Sequence, residues 1–445
     1  MSMIVISNTR VVQTSFPFDI HDGVDVVISD DRILDVGKHL ASKYPQAKHF
    51  DASQMTVIPG MVCSHHHYYS GLSRGMLVKA GPQNDFIQVL KEWWWRLDRA
   101  LDEEACLYSS LICSIDAIKA GTTCCIDHHA SPSFISGSLS TIARGMRQVG
   151  IRGMTCYEVT DRNGQSDEIQ AGIDENIAFA IEVEAAKKEH EPVLVEAMIG
   201  GHAPFTISEA GMGLLADACR KTNRGLHLHV AEDRYDVTWS HHKYAKDIVE
   251  RLDDYGLLGD KTLLVHGLFL NDKEIEILNE RNVYLAHNPR SNMNNHVGYF
   301  DALQKVHNLV LGTDGCGGNM FEEVKIAYFK HKDAGLSWWP QDFVSVLSRG
   351  NEILSTYFDA PFGRVEPGYK ADLTFLKYEN PTPLVSENAA SHIVWGMSSN
   401  CVDSVMVDGN FVMKNREFAF DIQEIYAKAS EVAAKVWKKV DSIAP

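Results

Sequence analysis

Three consecutive histidines, His65, His66 and His67, close the strand-like run Thr56-Val57-Ile58-Pro59-Gly60-Met61-Val62-Cys63-Ser64. An extended chain alternates its faces, so His65 and His67 point one way and His66 the other. Two imidazoles on one face are half of a divalent-metal site if other strands bring the rest. Taken alone, the triplet suits a surface cluster or a hydrogen-bonded core pair equally well. Other runs add donors: Leu226-His227-Leu228-His229-Val230 leads into Ala231-Glu232, Thr262–Val265 into His266-Gly267, and Leu309–Gly312 into Thr313-Asp314-Gly315. His65, His67, His229 and Asp314 would set three neutral nitrogens and one carboxylate around a single ion, with a position left for water. That set suits Zn²⁺, with Fe²⁺ as competitor. Such an ion lowers the pKa of its water to roughly 7, which makes hydroxide available at neutral pH. Glu232, three residues past His229, could shuttle a proton to a substrate nitrogen. It could also be a carboxylate favoured at a helix N-terminus.

These donors need a frame that brings their strand ends together. Between about residues 59 and 360, apolar runs alternate with helical patterns: strands are expected at 122–126, 152–157, 193–198, 226–230, 262–265, 283–286 and 309–311. Helices are expected at 102–120, 209–222 and 244–255, among others. About eight such units point to an α/β protein built on a (β/α)₈ barrel, where reactive groups gather at the C-terminal strand ends. No G-x-G-x-x-G follows an early strand, which counts against a dinucleotide fold. Residues 1–58 read as short β elements, with a hairpin turn at Ser29-Asp30-Asp31. β character returns at 372–376 and 402–412. A small β-sandwich domain made from both ends of the chain (1–58 and 361–420) is therefore expected around a 59–360 barrel. A C-terminal helix over 422–440, within 421–445, would pack outside it.

Composition narrows the class. Of 445 residues 45% are hydrophobic, enough for a large core, yet no run reaches the roughly 18 apolar residues of a membrane span. The start lacks a basic stretch followed by an apolar one, so a cytoplasmic protein is expected. Nine cysteines, without any C-x-x-C pairing, suit buried reduced thiols better than disulfides. A formal charge of −17 disfavours DNA or RNA as partner. A small molecule is the expected partner.

The pattern 59–67, with His229-Val230-Ala231-Glu232, Val265-His266-Gly267 and Gly312-Thr313-Asp314-Gly315, resembles the amidohydrolase superfamily. It is most similar to the mononuclear branch of guanine, cytosine and adenosine-type deaminases and triazine hydrolases. The similarity extends through Gly201–Thr206, Leu285–Pro289 and Phe362–Leu373, and so over almost the whole chain. The stretches Trp93–Leu101, Asp127–Pro132 and Cys156–Asp161 resemble the SsnA-type aminohydrolases. The resemblance implies that His65, His67, His229 and Asp314 are metal ligands and Glu232 the proton shuttle. It also implies that His266 holds the attacking water or the developing oxyanion, that His202 contacts substrate, and that the protein is a homo-oligomer. Two departures stand out. Residues 193–198 contain no lysine of the kind that is carboxylated in binuclear relatives, so one metal per chain is expected. Leu97, ahead of Asp98-Arg99, stands where the methylthioadenosine/adenosylhomocysteine deaminases carry a ribose-binding carboxylate, which argues against a nucleoside.

Other residues admit two readings. Trp93, Trp94 and Trp95 cannot share one helical face, because successive residues lie about 100° apart. Core and subunit interface is the plainer role, and a stacking wall over a planar ring, with Trp94 as candidate, the sharper one. Only one of His128 and His129 can face the barrel mouth; core hydrogen bonding or contact with substrate by His128 are the alternatives. Glu158 and Asp161 are loop charges or polar anchors of substrate. His241-His242 reads as a solvated loop, and Gly315–Asn319 as a flexible loop beside Asp314. The expected activity is metal-dependent deamination of an amino-substituted purine, pyrimidine or related N-heterocycle. Opening of a cyclic amide or displacement of chloride is the alternative, and a non-catalytic binding protein the remote one.

Overall fold

Eight extended segments in the middle of the chain pair in parallel and in sequence order. Met61–His66, Thr122–Asp127, Arg152–Thr155 and Val195–Ala197 form one ladder. Ile199–Gly201, Leu226–Val230, Leu263–His266, Tyr284–His287 and Leu309–Leu311 form another. The fourth segment is one run interrupted at Met198, whose N–H donates to Thr155 O at 3.0 Å. Across the remaining seam His66 bridges Asp314, and the N–H groups of Thr313 and Asp314 donate to His65 O at 2.8 and 3.1 Å. First and last segments are thereby neighbours, which brings residues 65–67 beside Asp314. This computed structural model describes residues 3–164 and 167–445.

Helices separate the strands and cover them, as the apolar runs require. Glu103–Lys119 starts on Asp102, whose carboxylate accepts from Ala105 N at 2.9 Å and caps the first turn. Pro340–Tyr357 begins with its proline in the first turn, where no N–H is needed. The helical pattern expected at 244–255 is split: Arg234–Tyr244 ends on Ala245 in a left-handed conformation, and Ile248–Asp254 follows. His241 therefore lies in a helical last turn rather than a loop, with Nε2 2.8 Å from Asp247 Oδ1.

A second sheet takes strands from both ends of the chain. Its order is Asn410–Met413, Val402–Val407, Leu373–Leu376, Thr56–Pro59, Met3–Val12, Ile20–Ser29 and Arg32–Gly37. Lys48–Asp51 pairs with the first half of Met3–Val12. Two register shifts within Met3–Val12 let its second half turn to Thr56 and Val57. Ile6, Val26, Ile28, Phe50, Val57, Leu373, Phe375 and Met406 make a separate core there.

One continuous stretch joins this sheet to the histidines. Thr56–Pro59 pairs antiparallel with Leu373–Leu376 and passes through Gly60 directly into Met61–His66. A Cβ on Gly60 would stand 2.1 Å from Thr123 Oγ1, so the close approach demands glycine. Beneath this junction Arg152, at the base of the third strand, binds Asp372 through Nε at 2.7 Å and Nη2 at 3.1 Å, and Asp408 through Nη2 at 2.8 Å. The C-terminal helix, Ile422–Ser442, does more than cover the outside. Arg96, only 2% exposed, donates to Val440 O at 2.9 Å and Ile443 O at 2.8 Å, and so ties the tryptophan segment to the helix end.

Candidate metal centre and cavity

His67 and His229 bring their Nε2 atoms within 3.2 Å of each other, and His67 Nε2 lies 3.0 Å from Asp314 Oδ1. His65 Nε2 is 3.8 Å from the same oxygen. The other nitrogen of each ring is occupied: His67 Nδ1 by His128 O at 2.7 Å, His229 Nδ1 by His202 O at 2.9 Å, and His65 Nδ1 by His227 Nε2 at 2.9 Å. All three rings thus turn Nε2 toward one point, and His65 Nε2 is buried with no hydrogen-bond partner. Three anchored imidazoles converging on a carboxylate, with one lone pair unanswered, fit a divalent cation. His65, His67, His128 and His229 hold donor atoms within 4.8 Å of one another, as do His65, His266 and Asp314. The two groups share His65.

The local electrostatics suit the same cation. Burial alone would push the Asp314 carboxyl up, but the hydrogen bond and charge of His67 outweigh it and hold it well below the usual range. His67 is raised correspondingly by Asp314 and Glu158 against its own burial. His65 and His229 are pushed well down, first by burial and then by their fellow histidines, which favours the neutral form that a metal ligand needs. Ser291 donates to Asp314 Oδ2 at 2.7 Å and fixes the carboxylate.

Glu232 and His266 stand on the other side of Asp314. His266 Nε2 is 3.4 Å from Glu232 Oε2 and 3.7 Å from Asp314 Oδ2, and it has no hydrogen-bond partner. Its Nδ1 shares a 2.9 Å hydrogen bond with Asn292 Oδ1. Burial, and then the Asp314 charge, raise the Glu232 carboxyl well above the usual range, which favours its protonated form. Ala231, His266 and Asp314 turn through left-handed backbone at φ 47°, 70° and 54°. For residues other than glycine this costs about 1–2 kcal/mol each. The strain gathers at the strand ends that carry the donors.

A cavity of about 400 Å³ opens above these groups, lined by His67, His229, Glu232 and Asp314 at its floor. His202 and Glu158 line it as expected; Glu158 Oε1 lies 3.2 Å from His67 Nδ1 and its Oε2 3.9 Å from His202 Nε2. Trp93, Trp94 and Trp95 all reach it, which a regular helix would not allow. Leu90–Trp94 is a π-helical stretch, and the three indoles line the cavity while packing against the main core. His128 is not among the lining side chains: it lies wholly buried beneath the ligands, its ring stacked on His227 at 4.3 Å. His129 points away, toward Ser131 Oγ at 2.9 Å. Asp161 accepts from Ser208 N at 3.0 Å and serves its loop.

Leu97 is fully buried, whereas Asp98 lines the cavity, so a carboxylate does face the site. Asp98 pairs with Arg162, over which Trp95 stacks at 5.1 Å. Asp98 Oδ1, Arg162 Nε and Nη1, and Trp95 Nε1 are buried without hydrogen-bond partners. Burial raises the Asp98 carboxyl to about 7 against the pull of Arg162.

Over residues 56–412 the sequence matches the model of the Amidohydrolase family. The chain belongs to the amidohydrolase family. Among members, a 5'-deoxyadenosine deaminase of Methanopyrus kandleri is 31% identical over 85% of this chain and 86% of its own length. A 5-methylthioadenosine/S-adenosylhomocysteine deaminase of Thermococcus sibiricus is 28% identical, over 87% and 89%. A zinc-bound adenosine deaminase from Xanthomonas campestris superposes with a TM-score of 0.83, at 21% identity over 99% of both chains. The zinc-bound atrazine chlorohydrolase TrzN of Arthrobacter aurescens TC1 does so at 0.79 and 18%, over 97% of this chain and all of its own. At these identities the superpositions show the shared mixed α/β amidohydrolase fold.

Proposed function

We propose that this amidohydrolase is a metal-dependent aminohydrolase that releases ammonia from an amino-substituted N-heterocycle, with an adenine nucleoside of the kind its relatives are named for as the substrate class. The reading places a (β/α)₈ barrel over 59–360, and a small β-sandwich domain from 1–58 and 361–420. The convergence of three anchored Nε2 atoms on Asp314 beside Glu232, whose carboxyl is raised by burial, carries it. Asp98 on the cavity wall supports that class, while Leu97 at the preceding position counts against it.

His65, His67, His229 and Asp314 would hold one divalent ion, Zn²⁺ or Fe²⁺, which supplies a Lewis acid and lowers the pKa of water. Glu232 gives its proton to the ring nitrogen beside the carbon under attack, which makes that carbon electrophilic. Asp314 is ionised, takes one proton from the attacking water and passes it to the departing ammonia, while the remaining hydroxyl proton restores Glu232 as the ring carbonyl forms. His266, whose Nδ1 donates to Asn292 Oδ1, turns its Nε2 lone pair to the water that adds and accepts a hydrogen bond from it. The tryptophan wall excludes water and offers flat faces to the ring.

The test is ammonia release from amino-purines and their nucleosides, amino-pyrimidines, pterins and triazines, by protein reconstituted separately with Zn²⁺ and Fe²⁺. Ammonia from an adenine nucleoside supports the reading, and ammonia from another ring alone corrects the substrate class. Ring opening or chloride release without ammonia overturns deamination. No described helix is long and apolar enough to cross a membrane.

A further inference from the structure

The three histidines proposed as ligands are not anchored alike. His67 and His229 give Nδ1 to backbone carbonyls, which can only accept. Their rings must carry the proton on Nδ1, and Nε2 is left as a lone pair for the ion. His65 has no carbonyl there; its Nδ1 meets the Nε2 of a second imidazole, His227, at 2.9 Å. An imidazole can donate or accept, so this contact fixes nothing until His227 is itself fixed.

The surroundings of His227 do that. It lies two residues before His229 on Leu226–Val230 and is wholly buried. Its Nδ1 faces Cys156 Sγ at 3.6 Å, and Cys156 Sγ donates to Asp127 O at 3.7 Å. Asp127 O can only accept, so the thiol hydrogen is drawn to it and a sulfur lone pair is left for the His227 Nδ1 proton. His227 Nε2 is then the lone pair that receives the Nδ1 proton of His65. A single direction, His65 to His227 to Cys156 to the Asp127 carbonyl, satisfies every contact. The ring of His128, stacked on His227 at an interplanar angle of 18°, holds that plane. This accounts for a group that otherwise resembles another metal site: His128, Cys156 and His227 bring donor atoms within 4.8 Å of one another. With His65 as a ligand, both nitrogens of His227 are already committed.

We propose that His227 is a positioning residue that sets the tautomer of ligand His65, and that Cys156 sets His227 in turn. The inference rests on the metal reading of the site but not on the identity of the substrate. Partners that hold the far nitrogen of a ligand imidazole in this way are worth about 10–100-fold in metal affinity.

The test reads Zn²⁺ affinity by chelator competition, together with the ¹⁵N signals of the histidine rings in the Zn²⁺-loaded wild-type protein. In wild type, His227 is expected with its proton on Nδ1 and His65 with its proton on Nδ1. The opposite tautomer at either ring overturns the proposal without any variant having to fold. His227→Phe is expected to weaken Zn²⁺ binding about 10–100-fold, and His227→Gln, whose amide oxygen can accept from His65, to recover most of the loss. Wild-type affinity in His227→Phe, or equal losses in both variants, overturns it. A wild-type protein that takes up no divalent metal overturns the metal reading itself, which separates the two failures.

Discussion

The two ends of the same parallel strands hold a buried arginine to different degrees. At the base, Arg152 donates two hydrogen bonds to Asp372 and one to Asp408, with the rings of Phe358 and Phe362 each 4.9 Å from its guanidinium and Nη1 left unpartnered. At the mouth, Arg162 is paired with Asp98 while its Nε and Nη1 and Asp98 Oδ1 have no hydrogen-bond partner. Burying an unpaired polar group costs about 1–3 kcal/mol, and more when it is charged. The base clamp leaves one nitrogen unpartnered and fastens one sheet to another. The mouth pair leaves more of its hydrogen-bonding capacity unmet, on a cavity wall.

Variants at each end can break this contrast. The largest effect is expected at the mouth: Glu232→Gln keeps the shape but removes the acid, and ammonia release should fall by about 10²–10⁴-fold. Thermal unfolding should stay near wild type, and a loss explained by unfolding would remove Glu232 from the chemistry. Arg152→Met at the base leaves Asp372 buried without its partner, which costs about 3–5 kcal/mol of stability in denaturant titrations. The surviving folded fraction should keep wild-type kcat; a fall in its kcat would show that the base reaches the site.

Arg162→Gln is expected to be milder in stability and sharper in recognition. Loss of a hydrogen bond from a charged donor is worth about 1.5–3 kcal/mol, or roughly 10–100-fold in kcat/KM. The loss should fall on substrates with a polar arm and spare a bare heterocycle. Equal losses on both would assign Arg162 to the scaffold. The smallest effect is in pH. Asp98 is raised from 3.8 to about 7, so between those values the folded protein holds a proton that the unfolded chain lacks. Stability therefore falls as pH rises across that window. Asp98→Asn should remove this part of the slope; an unchanged slope would place the proton elsewhere.

Much of the floor of the cavity was legible in the sequence, and much of its wall was not. Residues 65, 67, 229, 232, 266 and 314 stand at the ends of apolar runs, where strand periodicity and the parallel-strand rule point directly. His227 carried the same signal, two residues before His229, as did Ser291 and Asn292 just beyond Tyr284–His287. These were missed because each acts through another residue. The wall escaped for a different reason. The 100° step of a regular helix forbids three indoles on one side, and nothing local in Leu90–Trp94 announces a π turn. The pairing of Asp98 with Arg162 joins a helix to a distant loop, a contact that no local pattern encodes. His128 was offered to the substrate, yet packing took it below the ligands.

The junction through Gly60 has a consequence for how the chain is made. Thr56–Pro59, which leads straight into His65 and His67, finds its neighbour Leu373–Leu376 only after about 300 further residues have been synthesised. Contacts so distant in sequence are slow to close. His65 and His67 leave the ribosome early, but the strand beneath them is sealed late, and Asp314 also arrives after most of the chain. The convergence of His65, His67 and His229 on Asp314 is therefore reached late, once the segments that flank it from both ends of the chain are present.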